Sequence, residues 1–341
     1  MPDMKRHTHF FFSLLLLSFL GCLPPPPPLP LSLGEAEKKF TELCRNEYKI
    51  TPVLFREANT LWIYVPTGDS LFSLKVSEDG PQEPQPPSEA RQLFFIDTKF
   101  VDDSFRIRYD IGKAKKSADS PGYGFQYSKE LQETQRHLLT AISQTFADVE
   151  RREGTPGLFL RVAGDVDYLG EENNAKHKKL VHSYVKTERV PDFFVLVIAD
   201  IKTGLETKMY FYLDDILRGM TDSLFMEEYT RRVMNEGATG NLAIVGDKTG
   251  QHLKIHDLTW PEFLSKQITH RIRFKYTQSD LKPEDNAESV LLAIAAQTTK
   301  AYNFKNFTAV ELINVAQDTQ RIFDKQQLNV YLEDNKNVGG K

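Results

Sequence analysis

The stretch FFVLVIA, Phe193 to Ala199, decides how this chain is read. An unbroken apolar run of this kind suits a central β-strand covered on both faces. It ends in DIKTG and turns into LETKMYFYLDDI, so Gly204 supplies the positive φ of a tight hairpin turn. A second segment, LAIVGDKTGQHLKIHDL, repeats the order apolar strand, Asp, Lys-Thr-Gly, returning strand, and predicts a second hairpin turning at Gly250. Each hairpin leads into a helical segment, EEYTRRVMNEG in one case and WPEFLSKQI in the other. Thr259 and Glu262 have capping-box spacing at the second.

Working outward, HRIRFKYT reads as a strand, Ala287 to Tyr302 as a helix and FTAVELINV as a strand. Upstream, QLFFIDTKF and SFRIRYDI are strand-like. The strongest helix runs from Lys129 to about Arg151, with Leu131, Leu138, Leu139, Ile142, Phe146 and Val149 on one stripe and Ser128 as its cap. That stripe must pack on something, and the Phe193 strand is the candidate. Nearer the start, a helix at 35–48 precedes two β-prone runs, ITPVLF and TLWIYV, joined by REAN. The pattern predicts an α+β fold of helix–strand–strand modules with largely antiparallel or mixed sheets.

At 341 residues with 40% hydrophobic content the chain can bury a substantial core. A small helix–strand–strand module is expected over 35–79, a Pro-rich linker over 80–90, the main α+β domain over 91–332 and a frayed tail over 333–341. The formal net charge of −4 gives no reason to expect nucleic acid as a partner.

The N-terminus has a basic start with Lys5 and Arg6, an apolar run from Phe10 to Leu20, then Gly21 and Cys22, the layout of a signal peptide. As a helix through Leu23 the apolar segment reaches about 21 Å, short of a hydrocarbon core of about 30 Å. FLGC, Phe19 to Cys22, resembles the lipobox of bacterial lipoproteins. The resemblance implies that residues 1–21 are removed and that Cys22 receives acyl chains, palmitate among them, which anchor the protein to the membrane. Residues 22–34 then form a stalk, because Pro24 to Pro28 and Pro30 favour polyproline II. With Leu23 and not Asp after the cysteine, the same resemblance implies the outer membrane, facing the periplasm, where the cell envelope has two membranes. Acylation of Cys22 leaves Cys44 without a partner in its own chain. Phe40, Cys44 and Tyr48 recur every four residues on one helix face, which puts Cys44 in the core, pairing between chains being the alternative.

Motifs of chemistry mostly fail on inspection. DKTG, Asp247 to Gly250, is the tetrapeptide phosphorylated in P-type pumps, but Gln251 and His252 follow it and a hairpin turn explains it. GNLAIVGDKT has the wrong spacing for a phosphate-binding loop. DVDYLGEENNAK, Asp165 to Lys176, begins like a calcium loop but has Leu169 and Lys176 at ligand positions. His252 and His256, on a strand, lie roughly 13 Å apart and cannot share a zinc; His177 and His182 have no better company. No metal and no cofactor is expected, and no catalytic residue is identified. Asp200, Asp214, Asp215 and Asp247, near hairpin ends, are candidates from which a hydrolase could draw a pair of acids, and caps are their ordinary use.

One pattern of charge points to binding. SFRIRYDI and THRIRFKYT alternate, placing Arg106 and Arg108, then Arg271, Arg273 and Lys275, opposite their apolar neighbours. If the strands are neighbours, five cations form an anion-binding face for an anionic polymer, lipid headgroups or an acidic envelope protein; cross-strand acids would make it an ordinary solvated face. The expectation is a lipid-anchored envelope protein that binds or scaffolds at the membrane surface. The alternatives are an envelope hydrolase of glycan or peptide using carboxylates, and an accessory subunit of an envelope assembly or transport complex.

Overall fold

The computed structural model describes residues 32–76, 91–113, 123–146, 190–220, 224–277 and 286–333. The signal segment with Cys22, the Pro-rich linker, the loop at Asp165–Lys176 with His177 and His182, and the tail after 333 lie outside the described residues.

The strand containing FFVLVIA, β7 (Phe193–Asp200), is buried along its whole length. Because successive side chains leave a strand on opposite faces, it feeds two cores. Phe193, Val195, Val197 and Ala199 enter one, and Phe194, Leu196 and Ile198 the other. Around it runs a five-stranded sheet in the order β1 (Val53–Glu57), β2 (Thr60–Thr67), β7, β8 (Leu205–Tyr212), β9 (Met234–Gly240). Only β2 and β7 pair parallel in it. The helix–strand–strand unit read at 35–79 therefore shares its sheet with the main body.

The second core, on the Phe194 side, is covered by α1 (Leu33–Asn46) and α2 (Lys129–Phe146). Leu33, Ala36, Phe40 and Cys44 form the buried stripe of α1, which a Ser32–Glu35 capping box starts. Cys44 is thus in the core, where burial pushes its thiol up to about 12. Ser128 caps α2 by accepting from the Leu131 amide at 3.1 Å, and α2 meets the sheet where Phe146 packs edge-on to Phe194. A short ribbon of β3 (Phe72–Val76) and β6 (Tyr123–Tyr127) flanks this layer.

The other core lies between the five-stranded sheet and a four-stranded sheet ordered β11 (Thr319–Asp324), β10 (Ala309–Asn314), β5 (Ser104–Lys113), β4 (Arg91–Val101). Here β5 and β10 are parallel and the other pairs antiparallel, and Asp102 and Asp103 take the positive φ values that the tight β4–β5 turn needs. Two helices fill the space, α5 (Trp260–Thr277) and α6 (Ala287–Ala301). The smaller α3 (Leu213–Met220), α4 (Met226–Arg232) and α7 (Lys325–Glu333) complete the fold. It is α+β with two mixed sheets. Among the described residues no helix is long and apolar enough to cross a membrane.

Three sequence expectations are corrected. HRIRFKYT is the C-terminal half of α5 and not a strand, because Phe263, Leu264, Ile268 and Ile272 form a helical stripe in the core. EEYTRRVMNEG is split: the helix ends at Arg232, and MNEG joins β9 by pairing with β8. LAIVGDKTGQHLKIHDL is no second hairpin. Leu242–Ile244 is a single 3₁₀ turn, and the rest is a strap laid across β2. Its backbone is held by side chains: Tyr64 Oη donates to the Asp247 carbonyl at 2.6 Å, Trp62 Nε1 to the His256 carbonyl at 2.9 Å, and Thr60 Oγ1 accepts from the Leu258 amide at 2.7 Å. Side-chain partners here replace the ladder that the alternating Leu253 and Ile255 suggested.

Candidate functional site

The five cations do not share a face. Arg106 and Arg108 leave β5 on the side opposite Phe105 and Ile107, while Arg271, Arg273 and Lys275 belong to α5, whose Ile268 and Ile272 pack with Phe105 and Ile107. The outer face of the four-stranded sheet is also balanced by acids. Arg106 Nε donates to Glu311 Oε2 at 2.5 Å, and Arg108 sits over the Phe95 ring with Asp97 as its cross-strand neighbour. Arg271 is buried and donates to Glu228 Oε1 at 2.6 Å. Lys275 lies on a small concavity of about 290 Å³ between α5 and α6. Arg273 alone of the five is on the groove described below.

The four aspartates are held by structure. Asp200 accepts from the amides of Lys202 and Thr203 at 2.9 and 3.2 Å and so shapes the β7–β8 turn. Asp214 accepts from Tyr212 Oη at 3.0 Å. Asp215 is buried against Arg232 Nη1 at 2.6 Å and Tyr302 Oη at 2.7 Å. Asp247 Oδ1 accepts from Thr249 N, Thr249 Oγ1 and Gly250 N, and its Oδ2 from His252 N and Nδ1. Burial opposes ionisation of Asp247, but His252 and these amides hold its carboxyl far below the usual carboxylate range. Such a saturated carboxylate is a turn-former, although the turn is not the hairpin turn that the sequence reading assigns to DKTG.

His252 is itself clamped, with Nδ1 2.7 Å from Asp247 and Nε2 2.8 Å from Glu206 on β8, which also takes Lys208 Nζ at 2.9 Å. His256 instead faces Glu262 at 3.0 Å; Glu262, read as a capping-box partner, turns its side chain that way while Thr259 Oγ1 still caps its amide at 3.4 Å. Among the described residues no group of three or more His, Cys, Asp or Glu could hold a metal ion.

A groove of about 630 Å³ lies over α5, walled by β4 on one side and by β8 and β9 on the other. That volume is within the range of ligand sites. Its floor is one face of α5, the i, i+3, i+4 series Glu262, Ser265, Lys266, Thr269, His270 and Arg273. Its β4 wall is the unbroken run Ile96–Val101, and its other wall includes Tyr210, Met234, Asn235 and Glu236. Lys266 Nζ pairs with Glu236 at 2.8 Å and rests 4.1 Å from the Tyr210 ring centroid. The charged residues of the groove are therefore close to balanced, and Arg273 makes no ion pair with another described residue.

Two lining residues carry polar atoms sealed from solvent and unpartnered among the described residues, Thr98 Oγ1 and His270 Nε2. Such atoms cost about 1–3 kcal/mol each when left unmade. Burial and the neighbouring Arg271 and Arg273 lower the pKa of His270 although its ring donates to the Thr230 carbonyl, so the neutral ring keeps Nε2 as an acceptor.

Sequence reasoning reached Arg273 but placed it on a strand, and it missed Thr98, Lys266, His270 and Glu236. The available signal for Thr98 was a hydroxyl on the inward phase of a β-strand, between Ile96 and Phe100. No family model matches the chain, and no curated protein or solved structure does either.

Proposed function

We propose that this chain is a lipid-anchored protein of the cell envelope whose body is a binding module, with the groove between β4, α5 and β9 as its ligand site. The anchor rests on FLGC at Phe19–Cys22 and the prolines after it. Binding rests on one observation: a groove of ligand size whose lining carries Arg273, a cation with no ion pair to another described residue. A hydrolase is less well supported, since Asp200, Asp214, Asp215 and Asp247 are all engaged in turns, hydrogen bonds or ion pairs and none lines the groove.

Both halves are testable in cells. Cys22→Ser should abolish incorporation of labelled fatty acid and move the protein from the membrane to the soluble fraction; unchanged membrane retention overturns the anchor. A photo-crosslinking residue at Lys99, on the groove wall, should give a discrete adduct that the same residue at exposed Ile322 on the far strand β11 does not. Equal labelling at both positions, or none at either, overturns the ligand site.

A further inference from the structure

We propose that the groove takes an extended polypeptide segment of about five residues, added as a strand to the open edge of β4. The inference rests on the binding reading above and names its ligand class.

The β4 wall is composed of residues from both faces of the strand. Ile96, Thr98 and Phe100 point to the core side of the sheet, and Asp97, Lys99 and Val101 to the other side, yet all six line the groove. Both faces of one strand can border a single groove only where the groove runs along the strand's edge. β4 is the last strand of its sheet, as β9 opposite is of the five-stranded sheet. In an antiparallel edge strand every second residue turns its N–H and C=O away from the sheet. No backbone group of another described residue outside the sheet bonds to Ile96–Val101. Among the described residues the groove thus presents an unfilled backbone ladder, the feature that strand addition uses.

The dimensions agree. Six residues of β4 extend about 17 Å, and the floor of α5 from Pro261 to Arg273 runs about 18 Å. A sugar chain fits the lining less well, because it is usually gripped by exposed aromatic faces. Lys266 covers Tyr210, and Phe100 packs its ring against Phe105 and Phe304. Charge selects further. Lys266 is tied to Glu236, Glu262 to His256, and Lys99 is 3.8 Å from Asp97, which leaves Arg273 to meet a carboxylate of the peptide.

The test uses detergent-solubilised full-length protein and a displayed library of random hexapeptides. Enriched sequences, made synthetically and measured by fluorescence anisotropy, should carry an acidic side chain or a free C-terminal carboxylate. Arg273→Glu, at an exposed position, should weaken them at least tenfold, and Ile322→Glu should leave them unchanged. N-methylation at alternate peptide residues should abolish binding, while methylation at the intervening residues should change it less than about threefold, since only every second amide faces β4. Binding indifferent to N-methylation or to Arg273→Glu overturns strand addition. A parallel titration with chitopentaose, read from the NMR amides of Met234 and Asn235, separates the two levels. Sugar shifts without peptide binding overturn the peptide and keep the groove as a ligand site. No response to either probe overturns both.

Discussion

At the scale of single residues, the loop at DKTG shows how a carboxylate builds backbone. Asp247 gathers the amides of Thr249, Gly250 and His252, and Gly250 takes a φ of 75° that a side chain would strain. His252 then bridges Asp247 to Glu206, at 2.7 and 2.8 Å. The turn was legible locally, since Asp before Lys-Thr-Gly is turn chemistry. The clamp was not, because Glu206 is on β8 and no pattern around His252 refers to it. Replacing Asp247 by Asn should cost about 2 kcal/mol at neutral pH, by the loss of charge-assisted hydrogen bonds. The pH dependence has a definite sign. The folded pKa of Asp247 is depressed, so its contribution is present above the unfolded value near 4 and is lost as pH falls through the folded one. Urea midpoints of the wild type and Asp247→Asn should therefore converge as the pH is lowered from 5 towards 2, and a constant gap would show that the charge does not matter.

The elements α1, α2 and β7, each ruled by one period, were read correctly, and α5, in which two periods coincide, was misread. The stripes of α1 and α2 and the unbroken run of β7 each have one reading, and each was found. The second half of α5 has two. Arg271, Arg273 and Lys275 alternate with Ile272, Phe274 and Tyr276 as a strand would, yet Ile268 and Ile272 also continue a helical stripe from Phe263. What hides the helix is Arg271, a cation that the helical reading must bury. The tertiary structure makes that burial tolerable: Arg271 and Arg232 both donate to Glu228, and Arg232 also to Asp215, joining α3, α4 and α5, with Tyr302 after α6 on the second Asp215 oxygen. Burial opposes charge on Arg232, but Asp215 beside it raises its pKa and keeps it ionised. Arg232→Met should cost about 3–5 kcal/mol, because it strands a buried carboxylate, while the pair Arg232→Met with Asp215→Leu should recover most of that loss. Thermal or urea unfolding of the two variants decides it, and additive losses would mean that the ions act independently.

At the scale of the whole molecule the decisive feature is the parallel pairing of β2 with β7, from Thr60 opposite Phe193 to Thr67 opposite Asp200. The α+β class and the central place of β7 were legible, because a strand apolar on both faces has to lie between two layers. The partner of that strand was not, since it comes from far back in the chain across a proline-rich stretch that reads as a boundary. Local sequence carries no record of such a long-range parallel pair. The consequence is cooperative: with β1 and β2 as one side of the sheet, the 35–79 unit cannot leave without opening both cores at Trp62 and Leu61. The two tryptophans of the chain report on the two parts, Trp62 on β2 and Trp260 at the start of α5. In Trp260→Phe the fluorescence of Trp62, and in Trp62→Phe that of Trp260, should each coincide in urea with the far-UV circular dichroism of the same variant. Comparison within one variant removes the effect of losing the Trp62–His256 hydrogen bond on the midpoint itself. A Trp62 transition that precedes the loss of secondary structure would divide the molecule at the linker after all.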